Sequence, residues 1–174
     1  MRLLMAFILF LPAFSVQAAG SLYGELRLGA SGVRHSDLDF YPGFASINAG
    51  IFIKRNIGIE AFVDAPLSEE SNGAFKTGLP RALGIGVRLQ SPPRLGTEAY
   101  LSFGYTSFTI EQFENDVRGQ RTVKQNFDGA SVRIGIQKRL QVSRKLKVGL
   151  EYRNFYSDSG VTVDGLSLGL HANF

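Results

Sequence analysis

From Gly20 onward, apolar residues recur at every second position, in segment after segment. The last segment is the plainest: Leu166, Leu168, Leu170, Ala172 and Phe174 share one side, and Gly165, Ser167, Gly169, His171 and Asn173 share the other. A period of two predicts a strand with one apolar face and one polar or very small face. The same alternation places Leu146, Val148, Leu150 and Tyr152 opposite Lys147, Gly149, Glu151 and Arg153. It places Ala130, Val132, Ile134 and Ile136 opposite Ser131, Arg133, Gly135 and Gln137. Further strands are read over Ala99–Thr106, Leu83–Gln90, Ile57–Asp64 and Ala45–Lys54. A weaker one runs from Leu22 to Gly29, where Gly24 interrupts the apolar side. The total is about eight strands, each near the length a tilted membrane strand needs.

The connections alternate in length. Arg55–Asn56, Ser91–Gly96 and Leu140–Ser143 are short, whereas Ser31–Pro42, Ala65–Pro80 and Gln112–Gln125 are longer and polar. Ser157–Gly160 is short although it belongs to the second set. Short turns on one rim and longer loops on the other are the pattern of a transmembrane β-barrel, and an even strand count puts both termini on the short-turn rim. No internal repeat beyond the hairpin period and no domain boundary is visible.

The first residues follow a different rule. Arg2 precedes an apolar run from Leu3 to Phe14, and Val16-Gln17-Ala18 makes a small-x-small site, with Ala19 as an alternative end. The expectation is a cleaved secretory signal peptide over residues 1–19 and a barrel domain over 20–174. The apolar run is too short to span a bilayer as a helix.

Composition narrows the chemistry. The 174 residues contain no Cys, so neither a disulfide framework nor a thiolate metal site is available. The net charge is +4, but Lys and Arg are dispersed among acids and apolar residues, which argues against nucleic acid. No spacing of Asp, Glu and His suggests a metal site, and no cofactor is expected.

Which face meets lipid follows from the polar side of the strands. It carries Gly29, Gly50, Gly58, Gly84, Gly86, Gly104, Gly135, Gly149 and Gly169 together with charges of both signs. A solvated outer face has no need of strand-weakening glycine, whereas a narrow lumen has room for little else between its long side chains. The apolar side is therefore assigned to lipid and the polar side to the interior of an all-β, eight-stranded, antiparallel up-and-down transmembrane barrel.

With its alternating last strand, its terminal Phe174 and the segment Asn56-Ile57-Gly58-Ile59-Glu60-Ala61, the mature chain resembles the small OmpA-like and OmpX-like barrels of Gram-negative outer membranes. The resemblance implies insertion from the periplasm by the barrel-assembly machinery, with Phe174 as the assembly signal. It also implies long loops outside, short turns and both termini in the periplasm, and roles from structural anchoring to adhesion. The absence of Trp and the short last loop depart from the commonest members.

Three groups of residues carry candidate function. An eight-stranded barrel is only just wide enough for side chains to fill it, and buried charges must be paired. Glu25, Glu60 and Glu151 are thus expected to plug the lumen against Arg27, Arg88, Arg133 and Arg153. Val63 opposite Leu83 would bring Glu60 level with Arg88, and Glu151 is matched in the same way with Arg133. At the long-loop rim, Lys76, Arg81, Arg118, Arg121 and Lys124 are candidate contacts for lipopolysaccharide phosphates, although Glu69, Glu70, Glu114 and Asp116 lie close by. His171 has Gly169 and Asn173 two residues to either side, and this fails the His and Ser pattern of the lipid A deacylases. His35 beside Ser36, Asp37 and Asp39 only loosely resembles the loop residues of the lipid A palmitoyltransferase. The reading is a non-enzymatic, monomeric barrel in contact with outer-membrane lipids, with a structural or surface-interaction role. A narrow solute pore and a lipid A-modifying enzyme are the alternatives.

Overall fold

A strand in lipid must satisfy every backbone N–H and C=O on a neighbouring strand, because no water is available to do so. Only a closed ring achieves that for all strands at once. The computed structural model describes residues 21–35, 38–72, 75–78, 81–116, 119–158 and 161–174. The proposed signal peptide and its cleavage site therefore lie outside the described residues. The strands are β1 (Leu22–His35), β2 (Leu38–Phe40), β3 (Gly43–Lys54), β4 (Ile57–Pro66), β5 (Glu69–Asn72) and β6 (Phe75–Gly78). They continue as β7 (Ala82–Gln90), β8 (Thr97–Asp116), β9 (Gly119–Arg139), β10 (Leu146–Asp158) and β11 (Val161–Asn173). Eight of them close the ring in the order β1-β3-β4-β7-β8-β9-β10-β11, with β11 returning antiparallel to β1. The short strands β2, β5 and β6 extend the wall on one rim, where β2 pairs with β1 and β6 with β8.

Among the described residues, the three segments read as long loops are mostly strand. β1 continues to His35, Glu69–Asn72 pairs with Phe75–Gly78 as β5 with β6, and β8 pairs with β9 as far as Asp116 opposite Gly119. The reason is physical. The apolar phase of a strand ends where lipid ends, but its hydrogen-bonded ladder has no reason to end there. Alternation of apolar residues therefore locates the membrane boundary, whereas the strands run past it.

The side chains are inverted relative to a water-soluble barrel. Leu26, Leu28, Ile47, Ile59, Val63, Leu83, Ile85, Val87, Leu150 and Leu168 are exposed on the outer wall, while Glu25, Arg27, Glu60, Arg88, Arg133, Glu151 and Arg153 are buried. At about 1.5–3 kcal/mol for each large aliphatic side chain, leaving ten in water would cost on the order of 10 kcal/mol or more. That is comparable to the whole net stability of a typical domain. The wall is built for lipid. Toward the long-hairpin rim the belt ends at Tyr152 and Tyr105, whose hydroxyls reach Asp164 and Asp128 on the same outer surface. Asp164 is also paired with the exposed Arg34 at 2.5 Å. An apolar ring with a polar tip suits the boundary between hydrocarbon and headgroups.

The gap in the apolar face at Gly24 is covered by the chain terminus. Gly24 lies opposite Ala172 in the β1–β11 register, and a Cβ placed on Gly24 would meet the Phe174 ring at 3.6 Å. The Phe174 N–H donates to the Leu22 carbonyl at 2.9 Å.

Candidate functional site

The candidate site is the lumen. Its side chains come from every ring strand, because residues of one parity on each strand point inward. Near the short-turn rim Lys147 Nζ lies 2.5 Å from Glu98 Oε2, and the same oxygen accepts from Gln137 Nε2 and Gln90 Nε2, each at 2.8 Å. Beside this group His171 stacks on Tyr23. Its Nδ1 is 2.8 Å from Glu25 Oε1 and its Nε2 is 2.9 Å from Asn173 Oδ1.

The middle of the barrel is held by three carboxylates. Glu25 receives Arg88 Nη1 at 2.5 Å, Arg27 at 2.8 Å and Asn48 Nδ2 at 3.1 Å. Glu60 accepts from Arg133, from the Ser102 hydroxyl and, at 2.7 Å, from the Tyr23 hydroxyl. Glu151 accepts from Arg153 at 2.9 Å and from the Tyr100 hydroxyl at 2.6 Å, and it lies 3.6 Å from Arg27 Nε. Aromatic faces separate these groups. The Arg88 guanidinium lies 3.7 Å from the Tyr100 ring centroid and 5.1 Å from that of Tyr23. Such contacts stabilise a buried cation where water cannot. The glycines make room for the rings: a Cβ on Gly50 would strike the Tyr23 ring, and one on Gly135 would strike Tyr100.

Higher up, Arg153 Nη1 holds Asp64 through both carboxylate oxygens, at 2.8 and 3.1 Å, and the Phe62 ring lies beneath Arg153 and Arg133. Above that the inward phase turns apolar. Val33, Phe44, Ala82, Phe108, Phe155 and Val163 form a buried cluster, with Phe127 and Tyr156 against it. The β10–β11 register shifts between Asn154 and Tyr156, so that Phe155 and Tyr156, adjacent in sequence, both reach this cluster. A bulge re-aims side chains in this way.

All seven proposed plug residues are buried in one connected network, Val63 lies opposite Leu83 as expected, and both expected pairs are ion pairs, although neither is the shortest contact its residues make. Glu60 lies opposite Gly86 and Arg88 opposite Gly58, so Glu60 and Arg88 stand 3.8 Å apart at their nearest atoms. Arg88 gives its short contact to Glu25, and Glu60 takes Arg133. Arg133 lies 4.0 Å from Glu151, whose close partner is Arg153. Sequence reasoning put Lys147 on the inner face without assigning it to the plug, and it missed Asp64, Glu98 and the apolar cluster. Asp64 and Lys147 were already on the inward phase, and Glu98 shares the parity of Tyr100, so the signal was present. With them the buried charges among the described residues balance: Glu25, Glu60, Asp64, Glu98 and Glu151 against Arg27, Arg88, Arg133, Lys147 and Arg153.

Of the proposed lipopolysaccharide contacts, Arg81 is exposed just before β7. Arg118 lies outside the described residues, as do the side chains of Lys76, Arg121, Lys124 and His35. Among the described residues no group of three or more His, Cys, Asp or Glu is arranged to hold a metal ion.

Comparison with solved structures returns small outer-membrane barrels. Neisserial surface protein A superposes with a TM-score of 0.67 at 15% identity, over 90% of this chain and 100% of that one. Ail, the attachment invasion locus protein of Yersinia pestis, crystallised in complex with the heparin analogue sucrose octasulfate, superposes with a TM-score of 0.66 at 10% identity, again over 90% and 100%. A major outer membrane protein of Thermus thermophilus gives 0.54 at 15% identity, over 90% and 100%. At these identities the likeness is one of fold. No curated protein matches the sequence significantly. The family model described as outer membrane protein beta-barrel domain matches residues 2–174, so this inside-out ring of strands belongs to the outer-membrane β-barrel protein family.

Proposed function

We propose that the protein is a non-conducting structural barrel of the outer membrane, with its long hairpins outside and its short turns and termini in the periplasm. Its role is envelope integrity and surface contact. The observation that carries this reading is the filled lumen: among the described residues, five buried acids balance five buried bases, with an aromatic and aliphatic cap above them. Water and ions crossing it would have to break buried pairs, each costing several kcal/mol. The hairpin of β8 and β9 supplies the surface for contact, since its strands of 20 and 21 residues exceed the roughly 9–11 residues a bilayer needs. Contact with lipopolysaccharide phosphates through Arg81 and its neighbours is the weaker part, because the same hairpins carry more acids than bases. A non-catalytic role is supported by His171, whose ring nitrogens meet a carboxylate and an amide rather than a nucleophilic hydroxyl.

The alternative reading is a narrow pore, which would have to pass Arg27 Nη1, Arg88 Nε and Arg133 Nη1, buried donors with no hydrogen-bond partner among the described residues. Planar-bilayer recording separates the two readings. The parent protein is expected to give no steady conductance, and reproducible single-channel steps would overturn the plug. Mass spectrometry of lipid A from cells with and without the gene tests the enzymatic alternative and is expected to show no difference.

A further inference from the structure

Charge is distributed unequally between the two ends of the barrel. The short-turn segments 53–57, 91–97 and 138–146 carry Lys54 and Arg55, then Arg94, then Lys138, Arg139, Arg144 and Lys145, with no Asp or Glu. The opposite segments 31–42, 65–81, 106–129 and 156–164 carry six bases and ten acids. All seven short-turn cations are exposed, and the acid closest to them in sequence, Glu98, is buried against Lys147. Backbone hydrogen bonds tie the turns into one collar. Gln90 N–H donates to Asn56, Arg139 N–H to Gly96, and Asn173 N–H to Lys145.

Two apolar side chains project from the same collar. Leu95 is fully exposed between Arg94 and Gly96, and Val142, between Arg139 and Arg144, is 87% exposed. Leu95 is also held in the left-handed region at φ 51°, with Gly96 at φ 76°, inside a two-residue hairpin closed by reciprocal bonds between Arg94 and Thr97 at 2.8 and 2.9 Å. Asn or Gly suits that first turn position, and Leu is strained there. A strained, fully exposed leucine beside Arg94 on a cationic rim contributes nothing evident to the fold. It has the chemistry of a membrane-interface anchor: apolar tips entering the headgroup–acyl boundary while cations pair with phosphates.

We infer, resting on the periplasmic placement of the short turns proposed above, that the short-turn rim is a docking collar for anionic glycerophospholipid headgroups, with Leu95 and Val142 as its apolar tips. The collar binds phosphate through its cations and holds the barrel at a fixed depth in its leaflet.

The test uses the folded barrel in uncharged detergent, mixed with phosphatidylglycerol or phosphatidylcholine of matched chains, with bound lipids counted by native mass spectrometry. Heat-modifiable gel mobility confirms that each variant is folded. The parent should retain phosphatidylglycerol over phosphatidylcholine by tenfold or more. The triple variant Arg94→Gln, Arg144→Gln, Lys145→Gln should lose most of that preference, since each cation near an anionic surface contributes about fivefold. Leu95→Asn should retain less of either lipid, yet unfold at higher urea than the parent, because Asn relieves the turn. Equal retention of the two lipids by the parent, an undiminished preference in the triple variant, or a less stable Leu95→Asn would each overturn the inference. So would retention of the parent, but not the triple variant, on purified peptidoglycan sacculi without a lipid preference, since the anionic partner would then be the cell wall.

Discussion

Arg88 reaches past Glu60 to Glu25: its Nη1 lies 2.5 Å from Glu25 Oε1 but 3.8 Å from Glu60 Oε2. The two strands that bear Arg88 and Glu25 are not neighbours, since β3 and β4 stand between them in the ring. The pair therefore staples the lumen across, not along, the wall. Glu25→Gln and Arg88→Met should each strand a buried charge and lower stability by about 3–5 kcal/mol. The double variant should lose clearly less than the sum. Urea titration of the protein refolded into lipid vesicles measures all three, and the coupling of Glu25 with Arg88 should exceed that of Glu60 with Arg88. Equal couplings would mean that depth within the lumen, not the observed contact, governs the pairing.

The outer wall and the lumen should respond differently to size and charge at adjacent positions. Leu150 is exposed on the lipid face near the middle of β10, so Leu150→Arg should cost about 2–4 kcal/mol. Gly149 faces the lumen, where an added Cβ would meet the Ile136 carbonyl at 3.0 Å and Gln137 Cβ at 3.2 Å. Gly149→Ala should crowd it by no more than about 1–3 kcal/mol. Gly104→Ala should cost more than Gly149→Ala, because its Cβ would overlap the Ile85 carbonyl, which cannot rotate away. The same vesicle titration ranks all three variants. If Leu150→Arg refolded as readily as the parent, the wall would not be facing lipid.

Parity was legible in the sequence, and so was the register of Val63 opposite Leu83, whereas the ranking of contacts within the lumen was not. Period-two alternation sorts Leu168 outward and Ser167 inward, and it places all seven proposed plug residues on the inner face. It could not say that Arg88 would pair across the ring with Glu25. That choice depends on how far a guanidinium stem extends across the lumen, which is not a local property. The apolar cap was hidden for a related reason. Phe44, Phe108 and Phe155 sit on the inward phase, where polar residues were expected, and near the strand ends the expected contrast between the faces reverses. Strand ends were misplaced because the apolar signal stops at the membrane boundary, while the β8–β9 ladder continues to Asp116 and Gly119.

Orientation is testable without a structure. A protease-cleavable tag inserted after Asn72 or Gly119 lies at the tip of a long hairpin and should be cut on intact cells. A tag after Asn56 lies in the short turn between β3 and β4 and should be cut only after the outer membrane is opened. The reverse pattern would place the basic collar on the cell surface, beside lipopolysaccharide instead of glycerophospholipid.

Phe174 separates folding stability from assembly. The residue is 66% exposed, its ring covers Gly24 from the lipid side, and its N–H closes onto Leu22 at the β1–β11 seam. In a lipid environment a ring exposed to this extent gains little from the contact, so Phe174→Ala should lower the refolded protein's stability by only about 1 kcal/mol. In cells the same change should do far more: the precursor should be processed but should accumulate in the periplasm, if the aromatic terminus is read during insertion. Leu22→Ala supplies the control. It removes apolar surface from the same seam and the same rim, so a purely thermodynamic defect would appear in both variants alike. Normal insertion of Leu22→Ala beside failed insertion of Phe174→Ala, with similar urea midpoints for the two purified proteins, assigns the terminal ring to recognition. Matching defects in cells would assign it to the seam.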